Sequence, residues 1–146
     1  MATQWDLSDA WVFSSIEGTG PDDGYTLTQI IAKADGINHS ILMEAEFTQA
    51  VPRLTNAGLI GAEPEADRYW HTETGRALYQ QRMKGHGLFG WADAILPALH
   101  RLGEPLDTGW SIPAGAFDRA TQDYLRRARQ ILRRLGVQIE DPGDTP

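Results

Sequence analysis

The chain has 146 residues, 41% of them hydrophobic, and a formal net charge of −7, which is apolar enough for one ordinary core and excludes a wholly disordered chain. It has no cysteine, which excludes disulfides, thiolate metal ligands and a cysteine nucleophile and suits a reducing compartment. The first residues lack a basic region followed by an apolar run, and no apolar stretch nears membrane-spanning length, so the expectation is a soluble cytoplasmic protein with no membrane partner.

The first helix is expected from Leu7 to about Ile16, with Ser8 as N-cap and Leu7 and Val12 as a hydrophobic staple. Residues 17–24, Glu-Gly-Thr-Gly-Pro-Asp-Asp-Gly, read as a flexible loop; two aspartates and no lysine argue against a phosphate cradle. Thr26-Leu-Thr-Gln29 is a capping box that opens a second helix to about Ala34, with Gly36 as its stop. Helix three begins near Glu44 and closes at Asn56-Ala-Gly58; Phe47, Val51 and Leu54 share its core face, and Pro52 predicts a kink. Residues 59–62 and 68–71 flank a turn-rich stretch and form a two-stranded hairpin. Thr72 caps a fourth helix to about Met83, with Ala77, Leu78 and Met83 facing inward.

Residues 84–90 form a glycine-rich hinge, and Trp91 to Leu102 a fifth helix interrupted or kinked at Pro97. A connector leads to Pro113, which starts the longest helix, expected to reach Leu135. The last residues, 140–146, have the composition of a flexible tail. The fold class is therefore mainly α with a small β-hairpin, in three parts: 1–83, a helical extension over 84–139, and the tail.

Residues 8–82 resemble a winged helix-turn-helix domain. The resemblance rests on the capping box of helix two, on Leu54-Thr-Asn-Ala-Gly-Leu-Ile60 at the exit of helix three, and on His71-Thr-Glu-Thr-Gly-Arg-Ala-Leu78 after the hairpin. Ala34-Asp-Gly-Ile-Asn-His-Ser-Ile, with Trp110 ahead of a C-terminal helix, is similar to uncharacterised bacterial winged-helix proteins. The resemblance implies a major-groove contact by helix three, through Thr48, Gln49, Pro52, Arg53, Thr55 and Asn56, and a wing contact by Arg68. Gln49 and Asn56 suit adenine edges and Arg53 suits guanine.

Charge argues the other way. Residues 1–80 hold four cations (Lys33, Arg53, Arg68, Arg76) against twelve anions, while residues 81–146 hold nine cations and eight anions. Glu44 and Glu46 stand at the start of helix three, and Glu63, Glu65 and Asp67 surround Arg68 in the wing. Nonspecific DNA affinity comes largely from neutralising phosphates, and this face repels them.

The last helix carries a heptad-spaced seam of Phe117, Thr121, Tyr124, Ala128, Ile131 and Leu135. That stripe packs either on its own chain or on a second copy. Arg119, Arg126, Arg127, Arg129, Arg133 and Arg134 fall on the opposite half, a solvated face or a docking surface for an acidic partner, for DNA or for the acidic front of a neighbouring subunit.

The four histidines lack metal-site spacing, and no nucleophile, Walker or dinucleotide motif is present. No catalytic residue, metal or cofactor is expected. The five tryptophans read as core fillers, with a small-molecule pocket as the alternative. The preferred reading is a nonenzymatic regulatory or protein-interaction protein that self-associates through its C-terminal helices as a homodimer. The alternative is a DNA-binding transcriptional regulator using helix three and the wing.

Overall fold

The structure, a computed structural model, describes residues 3–87 and 90–136. The expected tail, 140–146, and hinge positions 88 and 89 lie outside the described residues. Within them the chain is mainly helical with one hairpin, in the order α1 (Leu7–Ser14), α2 (Leu27–Asn38), α3 (Glu44–Asn56), β1 (Ile60–Glu63), a 3-10 turn (Pro64–Ala66), β2 (Arg68–His71), α4 (Glu73–Met83), α5 (Trp91–His100) and α6 (Ala116–Arg134).

Local signals explain most starts and stops. Thr26 caps α2, its hydroxyl accepting from the Gln29 amide while the Gln29 side chain accepts from the Thr26 amide. Thr72 caps α4 at the Gly75 amide. Its own hydroxyl donates to the Gly58 carbonyl at 2.6 Å and its amide to Leu59, so one threonine ties the end of α3 to the start of α4. Gly75 is required there: a Cβ would lie 2.8 Å from the Leu59 carbonyl carbon and closer still to its oxygen. The hairpin pairs Ile60 with His71 and Glu63 with Arg68, and Tyr25 adds an isolated antiparallel bridge to Tyr69.

Several expectations need correction. The N-cap of α1 is Asp6 rather than Ser8, in a reciprocal box with Asp9; Ser8 instead donates to Glu46 on α3 at 3.0 Å. Leu7 is exposed rather than stapled to the buried Val12. Helix α2 passes Gly36 and stops at His39, in the left-handed region at φ 53°. Its last turn is held by tertiary contacts, since Ile37 is buried and its carbonyl accepts the Trp91 indole N–H. Pro52 stands buried inside α3, which continues past it to Asn56 with the Ala57 N–H to Arg53 O bond made. Pro97 likewise stands inside an unbroken α5, which ends at His100. Ala77 is exposed, while Leu78 and Met83 are half-buried against the core. Helix α6 starts at Ala116 rather than Pro113, after Gly115 takes φ 77°, a conformation that glycine adopts at no steric cost.

Residues from 1–83 and from 84–136 share one core. Helix α1 packs on α3 and α5, α5 on α4, and α6 on α2. Phe47 on α3 is fully buried and meets Tyr69, Trp110 and Phe117 at ring-centroid distances of 5.2, 6.0 and 5.9 Å. It thereby joins α3, β2, the α5–α6 connector and α6, with each such pair worth about 0.5–1.5 kcal/mol beyond the area it buries. The tryptophans act as cross-ties. Trp5, Trp11 and Trp91 donate their indole N–H to the carbonyls of Gly103, Ala34 and Ile37 at 2.8–3.0 Å.

Candidate interaction surfaces

Three of the side chains expected to face DNA along α3, Gln49, Arg53 and Asn56, are engaged by other parts of the chain. Arg53 is the clearest departure: it is 6% exposed and buried. Its Nη1 donates to Asp9 Oδ2 at 2.8 Å and to the Gln4 carbonyl at 3.1 Å, and its Nε donates to Asp107 Oδ1 at 2.6 Å. Asp9 is fully buried. Burial pushes its carboxyl above the ordinary aspartate value, and hydrogen bonds from Asp6 and Arg53 only partly offset this. The guanidinium therefore fastens α1, α3 and the 101–115 connector to one another.

Its neighbours follow. Gln49 donates to Asp6 at 2.9 Å, and Asn56 donates to the Leu106 carbonyl and the Thr108 hydroxyl, both at 3.1 Å. The Thr48 hydroxyl returns to the Glu44 carbonyl of its own helix. Glu46 accepts from Ser8 and from the Met43 amide, so it ties α1 to α3. In the hairpin, Asp67 accepts from the Leu27 amide at the start of α2, and Arg68 donates to the Asp67 carbonyl.

A second polar knot lies under the loop at 17–24. Asp23 organises that loop by accepting from Thr19 and Gly20. Glu17 accepts from the Tyr25 hydroxyl at 2.6 Å and pairs with Lys33 at 3.0 Å. Burial pushes the Glu17 carboxyl up, but these two bonds outweigh it and hold it below the usual value. His71 is buried, stacked on Phe13 at 4.5 Å, with Nε2 against the Phe13 carbonyl at 2.8 Å. Desolvation pushes it down to about 4, so the ring is neutral and Nε2 donates.

Helix α6 divides along its length. In its first half Phe117 and Ala120 are buried and Tyr124 is half-buried, its hydroxyl bonded to Asp35 of α2. Ala128 is half-buried, and beyond it the seam emerges: Ile131 is 56% exposed and Leu135 72%, with Leu132 beside them. The same stripe is core in its first half and surface in its last two turns, because α2 ends at Asn38 while α6 continues. Most of the arginine face is exposed, with Arg129 half-buried. Arg119 reaches back to the Ala114 carbonyl at 3.4 Å, and Arg126 and Arg127 share Asp123 at 3.9 and 3.1 Å.

Two grooves border these features. One, of about 720 Å³, runs between α6, the start of α2 and the 3-10 turn; it mixes Asp118, Asp123 and Asp67 with Arg119 and Arg126. The other, of about 360 Å³, lies between the starts of α1 and α3. Leu7, Ile41 and Met43 stand exposed around it, over the buried Trp11 and Trp91, with Glu46 beside them. This second groove had no sequence signal, since its three apolar residues belong to no periodic stripe. No described helix is long and apolar enough to cross a membrane. Comparison with family models, with curated proteins and with solved structures finds no match, so the functional reading rests on this geometry.

Proposed function

We propose that this chain is a nonenzymatic regulatory or protein-interaction protein on a winged-helix plan, and that it self-associates through α6. The order helix, helix, helix, hairpin, helix supports that plan. One observation carries the self-association: the apolar stripe of α6 outruns its partner within the chain and leaves Ile131, Leu132 and Leu135 at the surface. A contiguous apolar patch beside a charged face marks a protein contact.

The rival reading, DNA recognition by α3, meets an energetic obstacle. To present Arg53 to a base, the chain must give up its pair with the buried Asp9. Breaking such a pair costs about 3–5 kcal/mol, or about two to four powers of ten in affinity. The wing adds Glu63 and Glu65 where phosphates would lie.

Sedimentation velocity over a range of protein concentrations tests the proposal. The expected result is a concentration-dependent shift to larger species that weakens as salt rises, and that Ile131→Glu with Leu135→Glu abolishes. A monomer at every concentration and at low salt overturns it.

A further inference from the structure

We propose that the cleft between the 17–24 loop and α4 binds a free α-amino acid, its carboxylate on Arg76 and its ammonium between His71 and the carboxylates of Glu17 and Asp23. This goes beyond the self-association reading and does not depend on it.

The cleft holds about 370 Å³, at the small end of the range of about 300–1,000 Å³ for ligand pockets. One wall is the loop, with Glu17 and Asp23. The other is the face of α4 that carries Arg76 and Tyr79, and His71 lines the cleft from β2. The loop is firmly tied. Asp23 accepts from the Thr19 amide, the Thr19 hydroxyl and the Gly20 amide at 2.8–2.9 Å. The His71 amide donates to the Gly18 carbonyl at 3.1 Å, and Tyr25 exchanges two backbone bonds with Tyr69 at 2.7 and 2.9 Å. A ligand therefore meets walls already in place, which favours affinity because little has to be ordered on binding.

Arg76 supplies the first contact. Residues 1–80 hold four cations against twelve anions. Lys33 pairs with Glu17, Arg53 with Asp9 and Asp107, and Arg68 donates to the Asp67 carbonyl. Arg76 is half-buried and lines the cleft, yet its guanidinium makes no hydrogen bond or ion pair among the described residues. Its planar fork of donors matches a carboxylate.

His71 supplies the second. It is 4% exposed, and its Nε2 donates to the Phe13 carbonyl. In the neutral ring Nδ1 is then an acceptor, and it has no partner among the described residues. A donor on the ligand satisfies it.

Charge narrows the class. The charged side chains lining the cleft are Arg76, Glu17 and Asp23. A phosphate or a dicarboxylate brings like charge to Glu17 and Asp23, and a simple amine brings it to Arg76. A molecule with one carboxylate and one ammonium matches both signs. The acids keep room for it: Glu17 takes one bond from Lys33 and one from Tyr25, while a carboxylate offers about four lone-pair sites.

Isothermal titration calorimetry of the full chain with each standard amino acid in turn tests this. Whichever binds is then compared with its amide, which lacks the carboxylate, and with its N-acetyl form, which lacks the ammonium. Both derivatives are expected to bind at least tenfold more weakly. Arg76→Met and His71→Phe are each expected to weaken binding at least tenfold. Arg82→Met, which removes an exposed cation of the same helix outside the cleft, keeps wild-type affinity. Far-UV circular dichroism with thermal melting checks that each variant is folded.

No heat and no shift in melting temperature with any amino acid at millimolar concentration overturns the proposal. So does a binder indifferent to Arg76→Met, or one that Arg82→Met weakens equally. An N-acetyl form that binds as tightly as its parent overturns the ammonium contact.

Discussion

Arg53→Met should be among the most damaging single substitutions in this protein. Methionine keeps the aliphatic stem in place and removes the charge. Asp9 is then left fully buried with Oδ2 bonded only to the Asp6 amide at 2.9 Å, and Oδ1 has no partner among the described residues. An uncompensated buried carboxylate of this kind costs about 3–5 kcal/mol, against a total stability of about 5–15 kcal/mol. Asp9→Asn should cost less, about 1–3 kcal/mol, because Arg53 keeps Asp107 and the Gln4 carbonyl. The double variant should cost less than the two singles summed.

The pH dependence adds an independent check. Burial already holds the Asp9 carboxyl above its ordinary value of 3.8, and removing Arg53 raises it further. Between the unfolded value and the raised folded one, the native state binds more protons than the unfolded state, so stability rises as pH falls through that window. The deficit of Arg53→Met relative to wild type should therefore shrink as pH drops from neutral toward 3.8. Urea unfolding across that range measures it. A deficit below about 1 kcal/mol at neutral pH, or one that grows on acidification, refutes the reasoning.

Gly75→Ala should destabilise the fold severely, because the new Cβ meets the Leu59 backbone rather than a movable side chain; a loss under about 1 kcal/mol in urea unfolding would mean that α4 slides away easily. His71, pushed down to about 4 from 6.5 by burial, takes up a proton in the unfolded state first. Stability is therefore full above pH 6.5 and lost as pH falls toward 4, by about 3 kcal/mol in all; His71→Phe should flatten that part of the stability–pH curve, and an unchanged slope would exclude His71 as its source. Fluorescence anisotropy of duplex DNA should show no dependence on Gln49→Ala or Arg68→Ala, and a loss of binding in either variant would restore α3 and the wing as a nucleic-acid surface.

What was legible in the sequence was what neighbours in the chain decide. The capping box of Thr26 and Gln29, the Thr72 cap and the hairpin all follow from residues within a few positions of each other. The Asp6–Asp9 box had the same spacing and starts the helix two residues earlier than Ser8, whose hydroxyl is instead taken by Glu46, 38 residues away. Long-range partners decided the rest. The polar face of α3 read as solvated because its partners Asp6, Asp9 and Asp107 lie 43 to 54 residues off. The end of α2 was misplaced at Gly36 because the Trp91 indole that holds its last turn is 54 residues further on. The seam of α6 had the right period; the depth of its burial depended on where α2 stops.

The tie between Trp5 and Gly103 spans 98 residues. A ribosome adds about 5–20 residues per second, so the N-terminal segment waits roughly 5–20 s for its carbonyl partner, while helices form in about a microsecond. During that interval α1 can rest on α3, but Trp5 stays in solvent and the guanidinium of Arg53 lacks Asp107. The segment ahead of α1 is thus secured only after residues 103 and 107 have been made. Cutting the chain before residue 103 should leave Trp5 without its carbonyl partner and the segment ahead of α1 more open to proteases.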